Sequence, residues 1–320
     1  MRLSRNKATA FAPASIGNVA VGFDILGLAF PALGDEVTVE IAPGPGVSVT
    51  EISPSSAHVT AAECAEIPRD ASRNTAARAV AALFSGLGLP TGLHVRIRKG
   101  IPLSSGLGGS AASAVAAVKA GAALLDPTPA DETLLRAAGE GEAAASGGVH
   151  LDNAAASLLG GLVLVMPDGS GRTLSLPLPL GIFCAIAHPH ARVRTKDARA
   201  CLAPGVPLAD FVGQSADLAA FVAALFLGDV QLVGRALRDR CIEPQRAHLI
   251  PGFAEVKRAA LASGAIGASI SGAGPSVFAW AVGEAAARRA GEAMSEAFSA
   301  AGQRTDLWVA PIGGGGARVL

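Results

Sequence analysis

Apolar and polar positions alternate through Leu93-His-Val-Arg-Ile-Arg98, the period-two pattern of a strand with one buried face. Residues 37–41 and 47–52 alternate in the same way on either side of Pro43-Gly-Pro-Gly46, which predicts a hairpin. Continuous apolar runs at 161–166, closed by Pro167-Asp-Gly169, and at 180–188 predict buried strands. Residues 265–271 and 276–282 predict a strand pair around a glycine turn. Longer stretches at 74–84, 111–125, 129–146, 211–227, 230–239 and 252–263 predict helices. The one at 111–125 is alanine-rich and free of proline. Strands and helices interleave, so the expected class is mixed α/β. The character of the chain changes near residue 165, which divides it into 1–165 and 166–320. A length of 320 residues also suits two domains better than one core. The run Gly313-Gly-Gly-Gly316 predicts a loop before a last short strand.

The stretch with most chemical content is Pro102-Leu-Ser-Ser-Gly-Leu-Gly-Gly-Ser-Ala-Ala-Ser113, between a predicted strand and a predicted helix. Without Cβ atoms at Gly106, Gly108 and Gly109, the backbone can turn tightly and approach a ligand closely. Unpaired N–H groups of the first helical turn and the helix dipole both favour an anion there. The result is a phosphate cradle. A Walker loop closes on Lys-Ser or Lys-Thr; here the close is Gly109-Ser110 and the next lysine is Lys119. The spacing Gly106-x-Gly108-x-x-Ala111 fits a dinucleotide fingerprint, with Asp126 at a suitable distance. That acid should end a second strand, but Asp126 runs into Pro127-Thr-Pro129. The lead-in from Ile101 to Gly106 is also long for a Rossmann turn, so that reading is set aside.

Pro102-x-x-x-Gly-Leu-Gly-x-Ser-Ala-Ala112 resembles the ATP-binding signature of the GHMP kinase superfamily: galactokinase, homoserine kinase, mevalonate kinase and phosphomevalonate kinase. Two more segments agree in order, Ala12-Pro-Ala-Ser-Ile-Gly-Asn-Val-Ala-Val-Gly-Phe-Asp-Ile-Leu-Gly27 and Ile270-Ser-Gly-Ala-Gly-Pro-Ser276. Gly22-Phe-Asp24, Leu151-Asp-Asn153 and Thr195-Lys-Asp-Ala-Arg199 resemble the homoserine kinases within it, and the resemblance covers nearly the whole chain from about Ala10. It implies an α+β architecture of two domains, the first like domain 2 of ribosomal protein S5 and the second ferredoxin-like. It further implies ATP-dependent phosphorylation of the hydroxyl of L-homoserine to O-phospho-L-homoserine in threonine biosynthesis, magnesium as metal, and a homodimer. The alternatives are another small-molecule kinase of the superfamily, such as a mevalonate-type enzyme, or a non-catalytic ATP-binding regulator on the same scaffold.

The resemblance also assigns residues. Pro102, Leu103, Ser104, Ser105, Gly106, Leu107, Gly108, Gly109, Ser110, Ala111 and Ala112 would hold ATP, with Asn74 at the nucleoside. An N-cap of the next helix is an equally good reading of Asn74. Ser110 and Glu142 would hold Mg2+, a hard ion that takes few protein oxygens. The commoner Gly-Leu-Gly-Ser-Ser pattern is altered, with Gly109 in place of the first serine. Arg199 and Arg246 would take the carboxylate of the acceptor, a task suited to the guanidinium fork. Asn18, Asp24, Asp152, Asn153, Thr195 and Gly272 would line the rest. Asp24 is the candidate for orienting the acceptor or acting as base, and its apolar neighbours make an unpaired carboxylate costly there. Lys99 could bring positive charge to the phosphates, although a surface lysine is the plainer reading.

Composition narrows the remaining classes. Hydrophobic residues at 50% and charged residues at 16% exclude a disordered chain. A formal net charge of zero gives no reason to expect nucleic acid or an anionic membrane as partner. No apolar segment with a small-residue cleavage site follows the basic Met1-Arg-Leu-Ser-Arg-Asn-Lys7, and the apolar runs at 143–149 and 219–227 suit core helices rather than a membrane span. Cys64, Cys184, Cys201 and Cys241 are scattered, as free thiols in a reducing cytoplasm would be. His188-Pro-His190 is too sparse for a structural zinc site.

Overall fold

The computed structural model describes residues 1–89, 92–146, 150–168 and 170–320, without the side chains of 144–146. Residues 147–149 of the predicted core run and Gly169 of the predicted turn therefore lie outside the described residues. The chain starts with β1 (Arg2–Leu3), β2 (Lys7–Gly17), β3 (Leu26–Ile41) and β4 (Val47–Pro54). Helices α1 (Ala61–Glu66) and α2 (Thr75–Gly86) lead to β5 (Leu93–Lys99), α3 (Gly109–Ala122), β6 (Leu125–Asp126) and α4 (Asp131–Ser146). Then come α5 (Asp152–Leu159), β7 (Leu162–Val165) and β8 (Thr173–Leu176).

Six of these strands build one sheet in the order β2-β3-β5-β4, with β7 on the other half of β3 and β8 on β7, while β1 and β6 pair separately. The hairpin predicted across Pro43–Gly46 does not form. β5 lies between β3 and β4, antiparallel to the first and parallel to the second. A parallel neighbour needs a long crossover, and α1 and α2 supply it. Alternation told which face of each strand is buried but not which strand would be its neighbour. Helices α2 to α5 pack on one another, and α3 and α5 pack onto β2 and β3. α3 is buried nearly all round, and its alanines let the neighbouring elements approach closely.

The second half contains β9 (Ile182–Pro189), α6 (Thr195–Ala200), α7 (Leu208–Leu227), α8 (Val230–Ala236) and α9 (Glu243–Arg246). It continues with α10 (Phe253–Ala262), β10 (Gly267–Ile270), β11 (Val277–Val282), α11 (Glu284–Ala300), β12 (Thr305–Pro311) and β13 (Arg318–Val319). Here the predicted strand pair around the glycine turn does form, as β10 and β11. The second sheet is antiparallel in the order β10-β11-β9-β12. Its two faces serve two cores, as period two requires. Ala185, Ala187, Val277 and Ala279 join Met294 and Phe298 under α10 and α11. Cys184, Ile186, Phe278 and Trp280 join a core continuous with the first sheet.

The first sheet runs past residue 165 into β8, and β13 returns to pair with β2 through Arg318↔Phe11. α7 differs from the core helix read at 219–227. Phe221, Ala224 and Leu225 are buried, but Leu208, Phe211, Val212, Phe226 and Leu227 are all more than half exposed. α7 is also long and apolar enough, by length and composition alone, to cross a membrane. It carries Asp217, which is paired with Arg238 and Arg240.

Candidate active site

Residues 100–108 form the loop between β5 and α3, and two glycines set its path. Gly108 caps α3 in the left-handed region at φ 64°, and a Cβ there would fall 2.1 Å from Ser15 Oγ and 2.9 Å from Asn153 Oδ1. Gly106, at φ 77°, faces the C-terminal glycine turn, where a Cβ would meet the carbonyls of Ser271 and Gly274 at 2.5 and 2.6 Å. Ser271 Oγ donates to the Gly106 carbonyl at 2.8 Å, and Ser276 N to that of Ser105 at 3.2 Å. The three segments quoted from the sequence are thereby brought together. Ser105 Oγ is buried and has no hydrogen-bond partner among the described residues. Its hydroxyl and the first turn of α3 suit a phosphate.

Two residues expected at the nucleotide, Asn74 and Ala112, and the candidate Lys99 are engaged in contacts within the chain. Asn74 caps α2: its Oδ1 accepts from Ala77 N at 3.1 Å and its Nδ2 donates to Pro68 O at 2.8 Å. Both halves of the amide are engaged, so the cap reading describes it. Ala112 N donates to the Gly108 carbonyl inside the helix, and its side chain is buried. Lys99 is not a surface residue; it is 4% exposed and ion-paired with Asp35.

The two residues expected at the metal do meet. Ser110, at the start of α3, donates from Oγ to Glu142 Oε2 on α4 at 3.2 Å. Burial pushes the Glu142 carboxyl up to about 7; the Ser110 hydroxyl opposes this and the charge of Asp152 adds to it. Asp152 is itself pushed up to about 6 by burial and by Asp24. Two buried carboxyls, both raised by burial and the first also by the charge of the second, stand beside a hydroxyl as an oxygen donor set that suits a hard divalent cation.

The residues expected to line the acceptor side start on a strained turn between β2 and β3. Asn18, Val19, Ala20 and Asp24 all have positive φ, at 68°, 45°, 55° and 61°. For non-glycine residues each such backbone costs on the order of 1–3 kcal/mol, and Val19 is β-branched as well. Side chains from distant segments hold the turn. Asn18 N donates to Asp152 Oδ2 at 3.2 Å, Asn18 Nδ2 to Gly272 O at 2.9 Å, and Asp24 N to Asn18 Oδ1 at 3.0 Å. Gln214 Nε2 on α7 donates to Val21 O at 2.7 Å. Asn153 accepts from Ser15 Oγ at 2.9 Å and so faces the phosphate loop.

Two guanidiniums converge on this turn. Arg199 on α6 donates from Nη2 to Asp24 Oδ1 at 2.6 Å, and its Nε is buried with no partner among the described residues. Arg246 on α9 is buried, with Nε on the Ala198 carbonyl at 3.0 Å and Nη1 on that of Gly272 at 3.2 Å. Both lie over the Phe23 ring, 5.4 and 5.1 Å from its centre. Burial and then the charge of Arg199 lower the Arg246 pKa, as expected where two cations share a pocket. Thr195 is exposed, one helical turn before Arg199 on the same face of α6. Phe23 and His150 went unread in the sequence. His150 Nδ1 stands 3.7 Å from Asp24 Oδ2, and a cavity of about 690 Å3 opens beside the two. Gly22-Phe-Asp24 already carried the signal for Phe23; a lone histidine carried none.

Comparison with known proteins agrees with this geometry. Residues 74–161 match the model of the GHMP kinases N terminal domain and residues 221–300 that of the GHMP kinases C terminal domain. Homoserine kinase of Xanthomonas campestris pv. campestris (strain B100) is 46% identical over 314 residues, 98% of this chain and 94% of the relative. Homoserine kinase of Chlorobium phaeovibrioides is 41% identical, over 97% of this chain and 98% of the relative. Among solved structures, homoserine kinase from Cytophaga hutchinsonii superposes with a TM-score of 0.92 at 39% identity, over 100% of this chain and 99% of the other. Mevalonate kinase of L. major, at 17% identity and a TM-score of 0.71, shares the fold. With its glycine loop, paired arginines and full-length likeness, the chain belongs to the homoserine kinase family of the GHMP kinases.

Proposed function

We propose that this protein transfers the γ-phosphoryl group of ATP to the side-chain hydroxyl of L-homoserine, giving ADP and O-phospho-L-homoserine on the path to threonine. The observation that carries the reading is the charge pattern at Phe23: Arg199 and Arg246 over the ring, with Asp24 beside them. A zwitterionic amino acid complements it, its carboxylate on the guanidiniums and its ammonium on Asp24. Asn18, Asp152, Asn153, Thr195 and Gly272 complete that side of the site, with His150 next to Asp24. Chain-borne groups then do three things. The loop at 100–108 and the first turn of α3 cradle the phosphates, the strained turn fixes the acceptor, and the meeting of Gly106 with Ser271 sets one against the other.

Mg2+ fits the oxygen donors Ser110 and Glu142, and it would neutralise charge on the phosphates when bound. No residue is assigned as base; positioning and electrostatic stabilisation suffice as a working mechanism. The division into an ATP-binding half, 1–165, and a second half, 166–320, belongs to the same reading. Four free cysteines suit a reducing cytoplasm. A second copy is the proposed cover of the exposed face of α7. Leu208, Phe211 and Val212 lie at one end and Phe226 and Leu227 at the other, so antiparallel pairing about a two-fold axis sets unlike ends together. Sedimentation of Phe226→Glu as a dimer would reject that contact. The functional test is ADP release with homoserine, mevalonate, galactose and shikimate as acceptors. Turnover with homoserine alone is expected, and equal use of mevalonate would overturn the assignment.

A further inference from the structure

Beneath the phosphate loop lie three polar side chains that the phosphoryl transfer itself does not use. Asp35 on β3, Lys99 at the end of β5 and Ser113 in α3 are each less than 5% exposed. Lys99 Nζ donates to Asp35 Oδ2, to Ser113 Oγ at 3.0 Å and to the Gly109 carbonyl at 2.9 Å. Ser113 Oγ donates in turn to Asp35 Oδ2 at 2.7 Å. Asp35 Oδ1 accepts from Gly100 N at 2.9 Å and Ile101 N at 3.2 Å.

An ammonium has three donors and a carboxylate about four acceptor positions. All three donors of Lys99 are engaged, and Asp35 has four partners. Lys99 therefore has no hydrogen left for a phosphate. Stability is a poor explanation for the arrangement, because a buried ion pair seldom outperforms apolar residues of equal volume. What an apolar cluster could not do is hold backbone groups. Asp35 holds the N–H groups where the loop begins, at 100 and 101, and Lys99 holds a carbonyl where it ends, at 109. β3 also leads out of the acceptor turn through Leu26.

We propose that Asp35, Lys99 and Ser113 form a buried clamp that closes the two ends of the phosphate loop and ties them to the strand that leaves the acceptor site. They are positioning residues for ATP, a role that rests on the loop being the ATP site. A fully satisfied network is rigid, and small displacements of reacting groups carry large losses in rate.

The test uses the full-length enzyme and three variants: Asp35→Asn, Lys99→Met and Ser113→Ala. Each is followed by titration with a non-hydrolysable ATP analogue, by separate KM values for ATP and homoserine, and by a melting curve. Asp35→Asn decides between clamp and ligand. If Lys99 served the phosphates, neutralising Asp35 would release it toward them and tighten nucleotide binding. The clamp predicts the reverse, a rise in KM for ATP of about tenfold with that for homoserine held within about twofold. Ser113→Ala removes one leg without leaving a buried charge, so it carries the test if the charge variants fail to fold. Its expected effect is in the same direction and smaller. Unchanged or tighter analogue binding in folded Asp35→Asn, or in Ser113→Ala where the charge variants do not fold, would overturn the clamp. An equal rise in both KM values would reduce it to general scaffolding. Failure of the unaltered enzyme to bind the analogue would instead refute the ATP site itself.

Discussion

Removing the Arg199 guanidinium tests the acceptor site most directly. Arg199→Ala deletes the donor to Asp24 Oδ1 at 2.6 Å and one of the two cations over Phe23. Truncating one member of a buried, hydrogen-bonded charge pair costs roughly 2–5 kcal/mol. Both side chains of this pair are 29% exposed, so solvent screens part of that and the lower end applies. A loss of about 2–3 kcal/mol in kcat/KM for homoserine corresponds to about 30- to 150-fold. KM for ATP should stay within about twofold, because the contacts of the arginine are with Asp24 and Phe23 rather than with the loop. The assay is coupled ADP release, run also with the amino alcohol in which the homoserine carboxylate is replaced by a hydroxymethyl group. The unaltered enzyme should lose a comparable factor on that compound, and Arg199→Ala should lose little more, since the interaction is absent from either side. If the unaltered enzyme handles the amino alcohol as well as homoserine, no carboxylate is being held and the reasoning fails.

Glu142→Gln should lower turnover by about two orders of magnitude while keeping the fold. Its stability should diverge from that of the unaltered protein in a set pH window. The folded-state pKa of Glu142 is raised from 4.5 to about 7, so the folded state binds the proton more tightly than the unfolded state. Without metal, this group therefore erodes stability as pH rises from 4.5 to 7, and His188, lowered to about 4 by burial, acts in the opposite sense. The readout is the difference between the two proteins: Glu142→Gln should melt relatively higher at pH 8 than at pH 4.5, and a constant difference would reject the assignment. Gly108→Val should abolish nucleotide binding and also lower the melting temperature, because its side chain would strike Ser15 and Asn153 at a left-handed backbone position. A folded variant with intact affinity for the ATP analogue would show that the loop is not the cradle.

Much of this was readable from residues alone, and the exceptions have physical causes. The loop was legible because its glycines stand between an alternating strand and an alanine helix. Asn74 was legible as a cap, since its residue type and its place before the helix suffice. Lys99 was misread, although the same alternation contained the answer. Leu93, Val95 and Ile97 face the core, and period two puts residue 99 on their side, with Arg96 and Arg98 facing water. What no pattern supplied was the partner, since Asp35 lies 64 residues away. α11 was passed over despite buried residues at 287, 290, 291, 294 and 298, a helical spacing. Strand neighbours, and residues such as His150 and Gln214, are set by tertiary contacts that leave no local trace.

The alternation of the second sheet has a consequence for how the enzyme can move. With Ile186, Phe278 and Trp280 sunk into the core of the first half, and Ala187 and Ala279 into the other, the sheet is a shared wall rather than a lid. Hinged closure of one half on the other would pull that wall out of an apolar interior. Substrate capture is therefore expected within a fixed frame, with the turn at 18–24 and the loop at 100–108 held in place by their hydrogen bonds. Heating should accordingly melt both halves in a single calorimetric step, and the radius of gyration should stay constant as ATP and homoserine bind.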